Sequence, residues 1–327
     1  MYENNLPLVS ILMPLYNAEV YIAQTLENCL AQTYTNIEII VVDDGSSDGG
    51  LQIAQGYAEK YDTISVYTQP NSGAPRARNH AFEKAKGEYI QYLDADDLMS
   101  ENKIATQMAL AEKHGYDPKV MFSSKFSYFT ETVADAVYFK QRIDHSYESG
   151  IDWLVDAWSG GGFGVVMGWL THRELIEKAG PWREDLKKNQ DGEFFSRVLL
   201  QADRVLMCED VMVYYRRTGS TSISSQFKES AAASTLTSLE WYEKNIESAE
   251  HPELQKALAY NYLGFITNYY PHFPHLLKEA ETHIRRLGFT FRTLETPGKL
   301  GPLAKLIGSD NVIRLRYWMK RRKAKQF

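Results

Sequence analysis

Cysteine is nearly absent: Cys29 and Cys208 are the only two in 327 residues. So few thiols build neither a disulfide framework nor a zinc-ligand spacing, and they fit a reducing compartment. Basic charge is not in excess either. A net charge of −6 excludes a molecule whose whole surface coats nucleic acid. No run of about 18 apolar residues occurs, so no membrane-spanning helix is expected. Residues 1–5 lack the basic start and apolar core of a signal peptide. The expectation is a cytoplasmic protein. Also missing after the first apolar run is a Gly-x-Gly-x-x-Gly fingerprint, and there is no P-loop. The residues there are Pro14-Leu15-Tyr16-Asn17-Ala18-Glu19, which argues against dinucleotide binding by a glycine-rich helix start.

What is present is ample apolar material, 44% hydrophobic against 24% charged residues, enough for a sizeable core. Two periodicities alternate through the first 130 residues. Residues 8–13, 37–42, 64–68 and 89–93 read as strands. Between and after them, residues 22–30 (entered through Asn17 as N-cap), 51–61, 75–85 and 100–114 read as helices. Strands alternating with helices imply an α/β fold with a mainly parallel sheet. Further on, residues 120–129 and 164–170 read as strands, with a flexible loop at glycines 160–162. Residues 190–200 read as a helix, 205–207 and 211–215 as extended chain. From 228 to about 287 the pattern is helical and polar. A breaker-rich link over 297–308 then precedes a basic amphipathic stretch over 311–325. The expected organisation is a catalytic unit over 1–225, with halves 1–115 and 116–225, and a helical extension over 226–327.

Open parallel sheets bind ligands beyond the carboxyl ends of their strands. Pro14 and Tyr16 follow the first strand, Asp43 and Asp44 the second, and Asp94-Ala95-Asp96-Asp97 the strand from Tyr89. Carboxylates gathered on one edge repel unless something offsets the repulsion, and a divalent cation with oxygen ligands is the simplest candidate. An aromatic ring beside them completes a seat for a nucleoside diphosphate. Each feature also has a plainer reading. Tyr16 alone is a core or surface tyrosine, and Asp43-Asp44-Gly45-Ser46 alone is a turn with a helix N-cap. A calcium-loop reading from Asp44 fails, because Gln55 stands where a bidentate Glu is needed.

Four segments taken together resemble the signatures of family 2 glycosyltransferases. They are residues 10–17 (Ser-Ile-Leu-Met-Pro-Leu-Tyr-Asn), 41–48 (Val-Val-Asp-Asp-Gly-Ser-Ser-Asp), 71–79 (Asn-Ser-Gly-Ala-Pro-Arg-Ala-Arg-Asn) and 87–97 (Gly-Glu-Tyr-Ile-Gln-Tyr-Leu-Asp-Ala-Asp-Asp). They occur in the family's order and approximate spacing. The resemblance implies an inverting GT-A-type transferase with a nucleoside-diphosphate sugar donor, UDP by default, and a glycan or lipid-linked acceptor. It implies Tyr16 against the nucleobase, Asp44 on the base edge, Pro14 and Arg78 near the nucleotide, and Asp94 near ribose or sugar. Asp96 would be the direct ligand of Mn²⁺ or Mg²⁺, with Asp43 and Asp97 as supporting carboxylates. In the second half, Asn189-Gln190-Asp191-Gly192-Glu193 is similar to the family's catalytic-base segment, with Gln190 in place of the usual Glu. Asp191 falls in the base position, Glu193 is its rival, and an acidic helix N-cap is the plainer reading. Tyr215-Arg216-Arg217-Thr218-Gly219-Ser220 resembles the strand and loop over the diphosphate, with Arg217 near the leaving group. Trp182 and residues 160–164 would border the acceptor.

Two other function classes stay open at this point: a GT-A-like nucleotidyltransferase, and a non-catalytic nucleotide- or carbohydrate-binding module. The basic end, Arg314, Arg316, Lys320, Arg321, Arg322, Lys323 and Lys325 around Tyr317, Trp318 and Met319, suits peripheral contact with an anionic leaflet. A solvated terminus is its plainer reading.

Overall fold

The computed structural model describes residues 6–217, 227–246 and 251–290, with single positions between 294 and 315. The parallel half begins with β1 (Val9–Leu15), α1 (Ile22–Leu30), β2 (Ile37–Asp43), α2 (Gly50–Ala58) and β3 (Ile64–Thr68). It continues with α3 (Ala74–Lys84) and β4 (Tyr89–Tyr92). β1 and β4 are buried on both faces because helices cover both. Leu12, Ile40, Val42, Ile90 and Tyr92 point into one cluster with Ala77 and Ala81 of α3. Ile11, Met13, Ile39 and Val41, one residue out of phase, point into the other with Ile22 and Leu26 of α1. That alternation is the period-2 geometry of a strand.

The second half adds β5 (Leu98–Met99), α4 (Lys103–Lys113), β6 (Val120–Phe129), β7 (Val137–Tyr138) and α5 (Gly150–Asp156). Then come β8 (Leu170–His172), α6 (Arg173–Ala179), α7 (Gln190–Leu199) and β9 (Arg204–Arg216). The sheet order is β3-β2-β1-β4-β8-β6-β9-β5, with β7 on β6. β1 to β4 pair in parallel, β8 lies antiparallel to both β4 and β6, and β6 pairs in parallel with β9. The chain leaves β1 toward β2 and β3, then crosses back to β4 on the other side. That reversal opens a crevice beyond the carboxyl ends of β1 and β4.

Three helices follow: α8 (Glu229–Ile246), α9 (Pro252–Tyr269) and α10 (Pro274–Arg286). Their inner residues, among them Leu236, Leu239, Leu258, Tyr262 and Ile284, merge with the cluster that holds Phe194 and Trp182. Glu243 of α8 ties them together, accepting from Tyr262 Oη of α9 at 3.0 Å and from Arg286 Nε of α10 at 2.7 Å. Among the described residues no helix is long and apolar enough to cross a membrane.

Several local expectations need correction. Asn17 does not cap α1: its φ is 48°, and its side-chain oxygen accepts from the Ser47 N–H of the neighbouring loop at 2.8 Å. The strand expected over 164–170 is a 3₁₀ turn, Val166–Gly168, followed by β8. Side chains take over the carbonyls there, with Gln91 donating to Met167 O and Ser124 to Gly168 O. The two extended pieces near 205 and 211 are one strand, β9, whose register against β6 shifts at Ser124/Lys125. Glycines 160 and 161 belong to a π-helical turn, Ala157–Gly161, continuing α5. Leu303 and Leu306 are helical where a link is expected. The basic residues after 315, with Tyr317, Trp318 and Met319, lie outside the described residues, as do Arg314 and Thr218 to Ser220.

Lys103 is buried completely, its ammonium donating to Gln91 Oε1 and, at 2.7 Å, to Gln107 Oε1. Among the described residues no carboxylate pairs with it, and burial pulls its pKa down to about 7. Above that value the unfolded chain holds the proton and the folded chain releases it, so this group makes stability rise as pH goes from 7 towards the unfolded lysine value of about 10.4. Lys103→Met removes the dependence. The expected result in chemical denaturation is that the variant gains on wild type at pH 7 relative to pH 9.

Candidate active site

The crevice edge is built by three loops. Tyr16, just past β1, is 53% exposed, and a ring left open on that edge is available to stack on a flat ligand. Pro14 is half-buried within β1. Asp43 turns the chain after β2, accepting from the N–H groups of Gly45 and Ser46. Asp44 is buried and accepts three hydrogen bonds, from Gln69 Nε2, Ser72 N and Gly73 N, each 2.8 Å long. It thereby fixes the loop into α3, where Gly73 takes φ 93°, a conformation natural to glycine.

Beyond β4, Thr25 Oγ1 donates to Ala95 O at 2.9 Å and pins the acidic turn. Asp97 is buried and accepts from Arg216 N at 2.8 Å. Burial, with Asp96 and Asp94 beside it, holds its carboxyl well above the usual range. Burial and the neighbouring Asp94 push Asp96 up to about 6. The Arg216 guanidinium donates to Asp96 O, Thr130 O and Gln24 Oε1, so it braces the turn through backbone, and its charge only partly offsets that of the Asp96 carboxylate. Arg217, expected near the leaving group, is exposed, with its guanidinium 4.0 Å from the Tyr128 ring centroid.

Asp94 and Asp96 fit a divalent cation. Both are partly exposed, both are acidic oxygen donors, and burial together with the adjacent Asp94 charge raises the Asp96 pKa although Arg216 opposes the rise, a strain that a bound cation would relieve.

Arg78 of α3 joins the two halves. It is buried, donates to Asp94 Oδ1 at 2.6 Å, and lies 4.5 Å from the Trp182 ring centroid. Its Nε, also buried, has no hydrogen-bond partner among the described residues. Across it stands Asp191, half-buried in the first turn of α7. Burial raises the Asp191 pKa, and the Arg78 charge opposes that rise. Glu193, two residues on, is fully buried and committed. It accepts from Arg197 Nε at 2.8 Å and from Arg197 Nη2 at 2.9 Å, while Arg197 also donates to the carbonyls of Ala179, Gly180 and Pro181. Such a buried two-pronged pair is costly to break from one side, about 3–5 kcal/mol. Glu193→Gln is therefore expected to lower stability by that order in a denaturant titration. An unchanged midpoint would contradict the latch.

Trp182, expected to border the acceptor, is buried. It is 2% exposed, stacked on Phe194 at 4.0 Å between centroids. Its backbone is gripped by Asn79, which donates to Trp182 O and accepts from Trp182 N. Asn79 closes the third sequence signature, yet its work is in the other half of the molecule, a role that the sequence alone does not signal. Arg216 and Asn189 are likewise invisible without the tertiary contacts they make.

Residues 10–143 match the model of "Glycosyl transferase family 2". An uncharacterized glycosyltransferase of Haemophilus influenzae is 44% identical over 105 residues, 32% of this chain and 42% of its own length. The uncharacterized glycosyltransferase EpsJ of Bacillus subtilis is 30% identical over 234 residues, 68% of this chain and 65% of its own. The matched stretch thus spans less than two thirds of either relative. In shape the chain is similar to S. aureus TarS 1–349 in complex with UDP-GlcNAc, with TM-score 0.71 at 19% identity, covering 96% of this chain and 92% of that one. It is also similar to the mannosyltransferase PcManGT of Pyrobaculum calidifontis in complex with GDP-Man and Mn²⁺, with TM-score 0.53 at 20% identity, covering 97% and 84%. Residues 10–143 thus carry the sequence pattern of glycosyl transferase family 2, and the chain that holds them adopts the GT-A fold.

Proposed function

We propose that the protein is an inverting glycosyltransferase that moves a sugar from a nucleoside-diphosphate donor, a UDP-sugar by preference, to an acceptor hydroxyl in glycan assembly. The observation that supports this is that Asp94 and Asp96 stand at the strand-reversal edge and that Arg78, bonded to Asp94, also bears electrostatically on Asp191. Metal-binding carboxylates and a separate elevated-pKa carboxylate are the two parts that a one-step displacement needs.

In this reading Tyr16 stacks on the base. Asp44 has four lone-pair sites, of which three are taken, leaving one for a base-edge N–H. Asp94 and Asp96 would hold Mn²⁺ or Mg²⁺, which neutralises charge on the departing diphosphate when bound. Asp191 takes the proton of the acceptor hydroxyl as that oxygen bonds to the anomeric carbon. The bond from that carbon to the diphosphate breaks, and the nucleoside diphosphate leaves with the electron pair. Attack opposite the leaving group inverts the centre, so an α-linked donor gives a β-linked product. UDP is preferred on the Tyr16 and Asp44 arrangement, supported by the UDP-GlcNAc complex of the TarS neighbour. The acceptor is a hydroxyl of a glycan or lipid-linked saccharide, and the basic end of the chain would hold the enzyme at the cytoplasmic leaflet.

The test is the leaving product. Incubation with UDP-sugars and GDP-mannose should release UDP or GDP. Release of pyrophosphate would mark a nucleotidyltransferase instead, and tight nucleotide binding with no turnover on any donor would mark a binding module.

A further inference from the structure

The segment entering α7 is bound to α8 by a polar stripe inside an otherwise apolar interface. Ser234, Ser238 and Tyr242 fall four residues apart on one face of α8, the spacing that aligns side chains along a helix. Ser234 Oγ accepts from the N–H groups of Lys187 and Lys188 at 2.9 and 3.0 Å. Asn189 Nδ2 donates to Ser238 Oγ at 2.7 Å and to Tyr242 Oη at 2.8 Å. Ser238 spends its own proton on Thr235 O, so its lone pair is turned to Asn189.

Two further facts show that this stripe acts on the first turn of α7. Asn189 sits at φ 60°, ψ 32°, a left-handed conformation that Asn tolerates better than most residues with a Cβ. Gly192, next to Asp191, would place a Cβ 2.3 Å from Tyr242 Oη and 2.5 Å from Asn189 Oδ1, so the contact requires glycine. The Tyr242 ring in turn stacks on Trp158, 4.8 Å between centroids at 17°, which leaves its hydroxyl little freedom.

We infer that α8 is a working part of the site: Tyr242 and Ser238, acting through Asn189, are positioning residues for Asp191. This rests on the reading of Asp191 as the base. A small displacement of a reacting group costs up to about 10²-fold in rate, so Tyr242→Phe should lower donor turnover by about tenfold. The KM for the UDP-sugar should stay within about twofold, because the donor edge lies on β1, β2 and β4.

The experiment measures kcat and KM for UDP release from a panel of UDP-sugars, with thermal melts, for Tyr242→Phe, Asn189→Gly, Asn189→Ala and Asp191→Asn. Asn189→Gly keeps the left-handed backbone and Asn189→Ala does not, so the glycine variant should retain more turnover. This pair decides the matter if Tyr242→Phe proves unstable. A fall in kcat at constant KM, with glycine above alanine, supports the inference. If Asp191→Asn is inactive while Tyr242→Phe and Asn189→Ala turn over at the wild-type rate, the inference is overturned and the base reading survives. If Asp191→Asn itself turns over normally, the base reading falls and the inference with it.

Discussion

Asp191→Asn is expected to lower transfer by about 10²–10⁴-fold, the usual contribution of a positioned general base, while nucleotide affinity stays within about twofold. The substitution keeps the shape and removes the proton acceptor. Its neighbour cannot substitute for it, since both Glu193 oxygens are held by Arg197 and the side chain is fully buried. The nucleotide contacts proposed for Tyr16, Asp44 and Asp94 come from other elements, so binding and chemistry separate. The pH profile checks the same assignment independently. Burial raises the Asp191 pKa, and a base works only when deprotonated, so activity should fall with falling pH in a limb lying above the ordinary Asp value of about 3.9. In Asp191→Asn that limb should vanish from whatever rate remains. A variant that transfers sugar at the wild-type rate would show that the base is elsewhere.

Asp96→Asn should trade function for stability. Asp96 is disfavoured as an anion by its burial and by Asp94, and Asp97 carries the same burden. Neutralising one of three crowded carboxylates relieves repulsion, so the cation-free protein should melt a few degrees higher; about 1 kcal/mol corresponds to roughly 2–4 °C for a domain of 150–250 residues. Turnover should drop by about 10²-fold or more, the scale of losing one stabiliser of transition-state charge. Sites held under electrostatic strain for function show this opposition. Calorimetric melts in chelator, paired with UDP-release rates, measure both halves. A variant that melts lower and turns over normally would mean that Asp96 serves the fold and not the diphosphate.

The nucleotide half was legible because its signals are local. Strands such as Ile37–Asp43 and Ile64–Thr68 follow from runs rich in β-branched residues, and the acidic turn from Asp94 stands directly after another apolar strand. The position of Asp191 was legible from the resemblance alone; what sets Glu193 apart from it is a salt bridge to Arg197 one helical turn on. The rest depends on partners far off in sequence. The burial of Trp182 is not signalled until Asn79, 103 positions earlier, is seen gripping its backbone. Arg216 and Arg217 are indistinguishable as neighbours in sequence, yet the strand's alternation sends one to the acidic turn and the other to Tyr128. Asn17 looks like an N-cap, but the loop after β2 competes for its side chain and wins. The polar stripe of α8 reads as surface serine, and only the packing of α8 on α7 gives it a role.

The central claim is that the carboxyl edge of β1, β2 and β4 binds a nucleoside diphosphate with a divalent cation. Calorimetric titration of UDP into the wild-type chain with Mn²⁺, repeated in chelator, tests it most directly. Saturable one-to-one binding in Mn²⁺ that chelator abolishes is the predicted result. Failure of UDP, GDP and dTDP alike to bind in the presence of Mn²⁺ or Mg²⁺ would contradict it.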